Sequence, residues 1–174
     1  KGKHNLSNFI ASATAAKILK VKNKKIKKTM ELFTGIKHRL QFVKNIGGSS
    51  YFNDSKATNI SSVIAAINSF NSPIILLLGG KNKDSDFRLL LPHTKRHVKH
   101  IVSFGEAGGE IATAIGDAVR LDITSSLNQA VASAHKIASP GDIILMSPGC
   151  ASFDEFKNFE DRGEKFIKMV NELK

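Results

Sequence analysis

Cysteine is nearly missing from this sequence, with Cys150 the single one among 174 residues. An internal disulfide is thereby excluded, and a reducing compartment, the cytoplasm, is the expected setting. Long hydrophobic runs are missing as well. The longest, Pro73 to Leu78, falls far short of the roughly 20 residues that a membrane-spanning helix needs. The opening residues KGKHNLSN have no apolar core of a secretory signal, and they start at Lys1 rather than methionine, so a piece of a longer chain is expected. No GxxxxGK[ST] phosphate loop, no GxGxxG fingerprint and no nucleophile, base and acid set is legible.

Aromatic residues are absent from the most basic stretch, KVKNKKIKK over Lys20 to Lys28, although the whole chain carries a formal charge of +11. Single-stranded nucleic-acid surfaces interleave cations with aromatic rings for base stacking. The stretch therefore reads as a solvated helix face or linker. A basic nucleic-acid-binding module remains the competing reading from a different class, and its signature is binding that weakens steeply with salt.

What is present is the composition of an ordinary globular protein, 41% hydrophobic and 24% charged, long enough for one sizeable core and part of a second unit. NLSNFIASATAAKIL spaces its apolar residues as a helix does, over about residues 8–20, with Ser7 as cap. A shorter helix over Lys25 to Leu32 ends near Thr34-Gly35, where glycine permits a left-handed exit. A boundary is expected here, between residues 1–32 and a complete unit over 33–174. That unit alternates. Tyr51-Phe52, preceded by the Gly47-Gly48 turn, reads as a short strand, and Ile60 to Phe70 as an amphipathic helix. PIILLLGG reads as a buried strand, DFRLLLPHTKR as a helix that Pro92 interrupts or restarts, and HIVSFG as a strand. EAGGEIATAI is a helix, AVRLD a strand, SLNQAVASAHKIA a helix, DIILMSPG a strand and EDRGEKFIKMVNEL the closing helix. Strands that are apolar throughout imply a sheet covered on both faces. The alternation implies right-handed crossovers and an α/β fold with an open, mostly parallel sheet.

Ligands of such sheets bind beyond the carboxyl ends of the strands. Four segments belong on that rim: NDSKATN, GGKNKDSD, FGEAGG and SPGCAS. NDSKATN reads either as helix capping by Thr58 or Asn59, or as an anion site in which Lys56 and Thr58 suit phosphate or carboxylate and Asp54 a sugar hydroxyl. In GGKNKDSD the glycines let the backbone approach a ligand and Lys83 reaches over the rim. FGEAGG reads as tight helix packing. His93 and His97 in HTKRHVKH share a helix face without an acidic ligand, so a polar surface is expected there rather than zinc. Cys150 has no basic neighbour in sequence and reads as an inert thiol.

Taken together, GKHNLSN, IKHR, NDSKATN, GGKNKDSDF and SPGCASFDEFKNFEDRGEKF, in this order and over essentially the whole chain, resemble the D-glutamate-adding ligases of the Mur ligase family. The resemblance implies the end of a central ATP-binding domain up to about Leu32, then a complete Rossmann-like C-terminal domain that brings in the amino acid. It implies ATP-dependent amide formation between UDP-N-acetylmuramoyl-L-alanine and D-glutamate through an acyl phosphate, in a cytoplasmic monomer with neither membrane nor nucleic-acid partner. The phosphate loop and most ligands of Mg2+ would lie upstream, leaving this piece inactive alone. By motif, Asn5 and Asn8 would lie near the adenine, and Arg39 and Asp54 near the ribose and phosphates. Lys56 would stand by the reacting phosphate, with His38 in support. Thr58 and Lys83 would hold the α-carboxylate of D-glutamate, and Ser152 with the backbone of Phe159 its side-chain carboxylate. Another Mur-type or folylpolyglutamate-type amide ligase is the nearest alternative. Gln41, Lys81-Asn82 and Gly149 depart from the family's usual residues, which bears on geometry rather than identity.

Overall fold

A computed structural model describes residues 3–174, the side chains of residues 3–7 and of Arg96 excepted. The chain divides into two compact units, the first ending at Ile36 and the second spanning Lys37–Lys174. The first is a helical pair, α1 (Lys3–Ile18) and α2 (Asn23–Leu32). Phe9 of α1 meets Phe33 edge-on with ring centroids 5.5 Å apart. Helix α1 begins before Ser7, so Ser7 lies inside the helix and is not its cap. The apolar spacing starts only at Leu6, but no residue from Lys3 to Asn5 is one that breaks a helix, so the backbone coils ahead of it. Helix α2 carries the lysine-rich stretch and buries no residue, as a solvated face does.

The second unit is built on a six-stranded sheet in the order β1-β2-β6-β3-β4-β5. Its strands are β1 (Gln41–Ile46), β2 (Ser49–Asn53), β3 (Ile74–Gly79), β4 (Val98–Phe104), β5 (Leu121–Ile123) and β6 (Ile143–Gly149). All neighbouring strands run parallel except β1, which pairs antiparallel with β2. Strand β1 was not expected from the sequence. Its pattern is irregular because a bulge between Phe42 and Lys44 breaks the alternation of faces.

The continuous apolar strands bury both faces, as expected. Ile74, Leu76 and Leu78 of β3 join one core with Ile60, Val63 and Ile67 of α3 (Ile60–Ile67) and Ile111 and Ile115 of α5 (Gly108–Ile115). Ile75 and Leu77 point to the other face, into a second core with Leu127 and Val131 of α6 (Leu127–Ile137) and Phe166 and Val170 of α7 (Phe159–Glu172). This division follows from the two-residue period of a strand. Helix α4 (Leu91–His97) has Pro92 in its first turn, after a single 3-10 turn over Phe87–Leu90. Proline thus restarts the helix, at a position where its missing N–H costs nothing. No described helix is long and apolar enough to cross a membrane.

The parallel register brings the carboxyl ends of β2, β6, β3 and β4 side by side. Asn53 pairs with Met146, and Gly79 with both Gly149 and Phe104. Gly79 and Gly80 have φ of 151° and 120°. A Cβ on Gly79 would collide with the carbonyl oxygen of Phe104, and one on Gly80 with that of Ala151. Only glycine lets three rim segments converge so closely.

Candidate functional site

The rim loops are cross-tied by their own backbones and by a few buried polar side chains. Lys81 and Ala151 exchange both N–H to O bonds, at 2.9 and 3.0 Å, and the Ala107 N–H donates to the Gly80 carbonyl at 2.9 Å. Asp154 accepts from the Glu106 N–H at 3.1 Å, and the Glu155 carboxylate accepts from the Leu127 N–H at 3.0 Å, at the start of α6. Such fixed loops present their remaining donors in one geometry.

The central tie is Arg162, a fully buried side chain that sequence reasoning missed. Its guanidinium donates to the Ser55 hydroxyl at 3.0 Å, the Ser55 carbonyl at 3.0 Å, the Cys150 carbonyl at 3.1 Å and the Ala151 carbonyl at 3.2 Å. The Ser55 hydroxyl in turn donates to the Phe159 carbonyl at 2.7 Å. One planar fork thereby joins the NDSKATN turn, the SPGCAS turn and α7. Burial pulls its pKa down to about 10, which leaves it charged at neutral pH. Among the described residues it forms no salt bridge, and Asp154 and Glu155 act on it only through space.

Asp54 is buried at the end of β2. Its carboxylate accepts from the Leu40 N–H at 3.1 Å and from the Ser147 hydroxyl at 2.8 Å. These bonds hold the segment that carries Arg39, which is itself exposed. Desolvation dominates and pushes the Asp54 pKa up to about 6, against the two hydrogen bonds and the charge of Arg39, which lower it. The folded carboxyl keeps its proton to about pH 6, whereas an unfolded aspartate releases it near 3.8. In that interval the native state binds more protons, so Asp54 makes stability fall as pH rises from about 4 to 6. At about 1.4 kcal/mol per unit over roughly two units, the loss is on the order of 3 kcal/mol. Asp54→Asn is expected to remove this component and to exceed the parent chain in stability at pH 7. Urea unfolding of both chains at pH 4.5 and pH 7 checks it; an equal pH dependence in the two would contradict it.

His38 is buried with φ of 61°. Its Nδ1 lies 3.0 Å from the Asn53 amide nitrogen, and its ring fills the space beside Gly163 that any side chain would take. Burial lowers its pKa, with Glu164 opposing. Gln41 accepts from the His38 N–H at 3.0 Å and from the Asn53 amide at 3.4 Å. Asn82 folds its own turn by accepting from the Ser85 N–H at 2.9 Å, and it donates to Glu110 at 2.7 Å.

Lys56, Thr58 and Lys83, all expected to face a ligand, are exposed. The ammonium of Lys56 lies 4.9 Å from the ring centroid of Phe159, and that of Lys83 lies 5.4 Å from that of Phe153. Asn59, not Thr58, caps α3 by accepting from the Ser62 N–H at 2.9 Å. Ser152 is buried, and its carbonyl accepts from the Glu155 and Phe156 N–H groups. Phe159 is the first residue of α7, where Asn158 caps by accepting from the Asp161 N–H. The first N–H groups of a helix have no partner within it. Asn8 is exposed on α1, and the side chain of Asn5 lies outside the described residues. Cys150 is buried and its thiol pushed up to about 12 by desolvation, so it is held as the inert thiol form. His93 faces the Asn68 amide at 3.4 Å, and His100 pairs with Asp122 at 3.0 Å.

Cationic and N–H donors on one rim suit carboxylates and phosphates, so the donor set fits a nucleotide's phosphate chain and an acidic amino acid. Among the described residues no three His, Cys, Asp or Glu side chains are grouped to hold a metal ion.

The fold is that of the ligases whose structures it overlays. It matches MurF from Acinetobacter baumannii with a TM-score of 0.71 at 18% identity, over 98% of this chain and 38% of that one. It matches a pseudomurein peptide ligase type C from Methanothermus fervidus with a TM-score of 0.73 at 14% identity, over 99% of this chain and 36% of that one. The family model described as Mur ligase, glutamate ligase domain, matches residues 38–150, and the chain belongs to that family. Among curated relatives, the UDP-N-acetylmuramoylalanine--D-glutamate ligase of Bacillus cytotoxicus is 42% identical over 99% of this chain. Its namesake in Lactobacillus helveticus is 43% identical, also over 99%. The chain spans 39% and 38% of the length of these two relatives.

Proposed function

We propose that this chain is the amino-acid-binding portion of an ATP-dependent ligase that adds D-glutamate to UDP-N-acetylmuramoyl-L-alanine, a cytoplasmic step of peptidoglycan precursor synthesis. In this reading residues 1–32 close the central ATP-binding domain and 33–174 form the C-terminal domain of a monomeric enzyme. The observation that carries it is the cross-tied rim, with Lys56, Lys83 and the first turn of α7 coming from separate segments. D-Glutamate has two carboxylates set well apart, and it needs donors from more than one strand end.

ATP supplies the phosphoryl group that activates the carboxylate of UDP-N-acetylmuramoyl-L-alanine. The neutral amine of D-glutamate attacks the acyl carbon and forms the C–N bond, phosphate leaves with the electron pair of the C–O bond, and the proton the nitrogen sheds passes to solvent. Thr58 and Lys83 hold the α-carboxylate of D-glutamate, while Ser152 and the Phe159 backbone hold its side-chain carboxylate. Lys56 offsets charge on the reacting phosphate. Arg39 and Asp54 bind ribose and phosphates; each Asp54 oxygen keeps a lone pair beyond its present bond. Asn5 and Asn8 take the adenine, and His38 supports the site through Asn53.

Lys83→Ala tests the clamp in the complete enzyme. A charge-assisted bond to a carboxylate contributes about 1.5–3 kcal/mol, so the KM for D-glutamate should rise by roughly 10- to 100-fold. The KM for UDP-N-acetylmuramoyl-L-alanine should stay within about twofold. Equal rises in both would remove the assigned role.

A further inference from the structure

Lys81 and Lys83 leave the same turn but meet different neighbours. Lys81 faces the Glu106 carboxylate at 3.8 Å. Lys83 pairs with no carboxylate among the described residues, and its ammonium instead lies 5.4 Å from the centroid of the Phe153 ring. Phe153 is 61% exposed and belongs to neither apolar core. It is also firmly mounted. Ser152 before it is buried and accepts two backbone N–H bonds, and Asp154 after it accepts from the Glu106 N–H at 3.1 Å.

We propose that Phe153 is a positioning residue that holds the Lys83 ammonium over the rim for the amino acid's carboxylate, an inference that rests on the clamp proposed above. The chemistry favours a ring over an acid at this place. A carboxylate would fix the ammonium but neutralise it and compete with the incoming substrate. The negative face of an aromatic ring attracts the cation through its quadrupole and leaves the full charge available. A flexible four-carbon stem then loses less rotamer freedom when the substrate arrives. The same segment repeats the arrangement, since Phe159 lies under the ammonium of Lys56 at 4.9 Å. The SPGCASFDEFKNF turn thus orients lysines from two other loops.

The test uses the complete enzyme with Phe153→Ala, Phe153→Leu and Phe153→Tyr, varying D-glutamate at saturating ATP and UDP-N-acetylmuramoyl-L-alanine. Phe153→Ala and Phe153→Leu should each raise the KM for D-glutamate roughly two- to fivefold and leave kcat within about twofold. Phe153→Tyr, which keeps the ring, should restore the parent value. In a Lys83→Ala background Phe153→Ala should add nothing, since the residue acts through that lysine. A KM unchanged by Phe153→Ala and Phe153→Leu, or raised by the same factor with and without Lys83, overturns the inference. Leucine matching phenylalanine would likewise overturn it, because bulk and not the ring would then be what matters. If Lys83→Ala alone leaves the D-glutamate KM unchanged, the clamp itself is wrong; if it raises the KM and Phe153→Ala does not, only the positioning role is wrong. Thermal midpoints of all variants, expected within about 2 °C of the parent for an exposed side chain, separate these effects from misfolding. Should the alanine variant fail to fold, the leucine and tyrosine pair decides.

Discussion

Replacing Arg162 by methionine is expected to destabilise the α/β unit by about 2–4 kcal/mol, although methionine removes a buried charge and fills much of the space. Two effects oppose each other. Desolvating a guanidinium is costly, and burial already pulls its pKa down to about 10, so its removal relieves the fold of that cost. Against this, the side chain donates to three backbone carbonyls and one hydroxyl, all of them buried. Ala151 keeps its bond from the Lys81 N–H, but the Ser55 and Cys150 carbonyls would lose the partner that Arg162 provides. A buried polar group left unsatisfied costs about 1–3 kcal/mol, and two of them outweigh the relief. Lysine should not rescue, because a point charge on a flexible stem cannot serve four acceptors spread across a plane. Urea unfolding of this chain reads the effect as a lower midpoint at unchanged slope. A methionine variant within about 0.5 kcal/mol of the parent would show that the tie is dispensable.

Lys56→Ala carries the largest expected kinetic effect. The residue sits on the turn between β2 and α3, its backbone N–H fixed on the His38 carbonyl at 3.0 Å and its ammonium over the Phe159 ring. A preorganised cation beside a reacting phosphate acts mainly on the transition state, where charge builds up. Removing one such donor lowers kcat by about 100- to 1000-fold. The KM values for D-glutamate and for UDP-N-acetylmuramoyl-L-alanine should move by less than about threefold, the signature of an interaction made mostly in the transition state. A variant with unchanged kcat and a raised KM would reassign Lys56 to ground-state binding.

Most of the scaffold was legible because its signals are local and strong. IILLLG and DIILM can be little else than strands buried on both sides, and the glycines that follow them mark where the chain must turn closely. The rim motifs also followed from topology, since parallel strands put their carboxyl ends together. Strand β1 was not legible: QFVKNI mixes polar and apolar residues around a bulge, and its pairing depends on β2 rather than on any period of its own. Arg162 was hidden by its setting, EDRGEK, which reads as a charged helix surface. A signal did exist. Arg162, Phe166 and Val170 are spaced by four, and all three are buried, so the arginine stands where the apolar stripe of α7 calls for a core residue. Helical periodicity puts it on the inner face, but only the tertiary fold supplies the carbonyls that make such burial tolerable. The work of Asp54 was similarly out of reach, because its Leu40 and Ser147 partners lie far along the chain.

The proposed clamp selects an acidic amino acid of one hand. Its most direct test is the complete enzyme supplied with ATP, UDP-N-acetylmuramoyl-L-alanine and, in turn, D-glutamate, L-glutamate, meso-diaminopimelate and L-lysine, with the nucleotide-linked product measured for each. D-Glutamate is expected to be incorporated and the other three to be rejected. Incorporation of diaminopimelate, L-lysine or L-glutamate at a rate equal to or above that of D-glutamate would contradict the account.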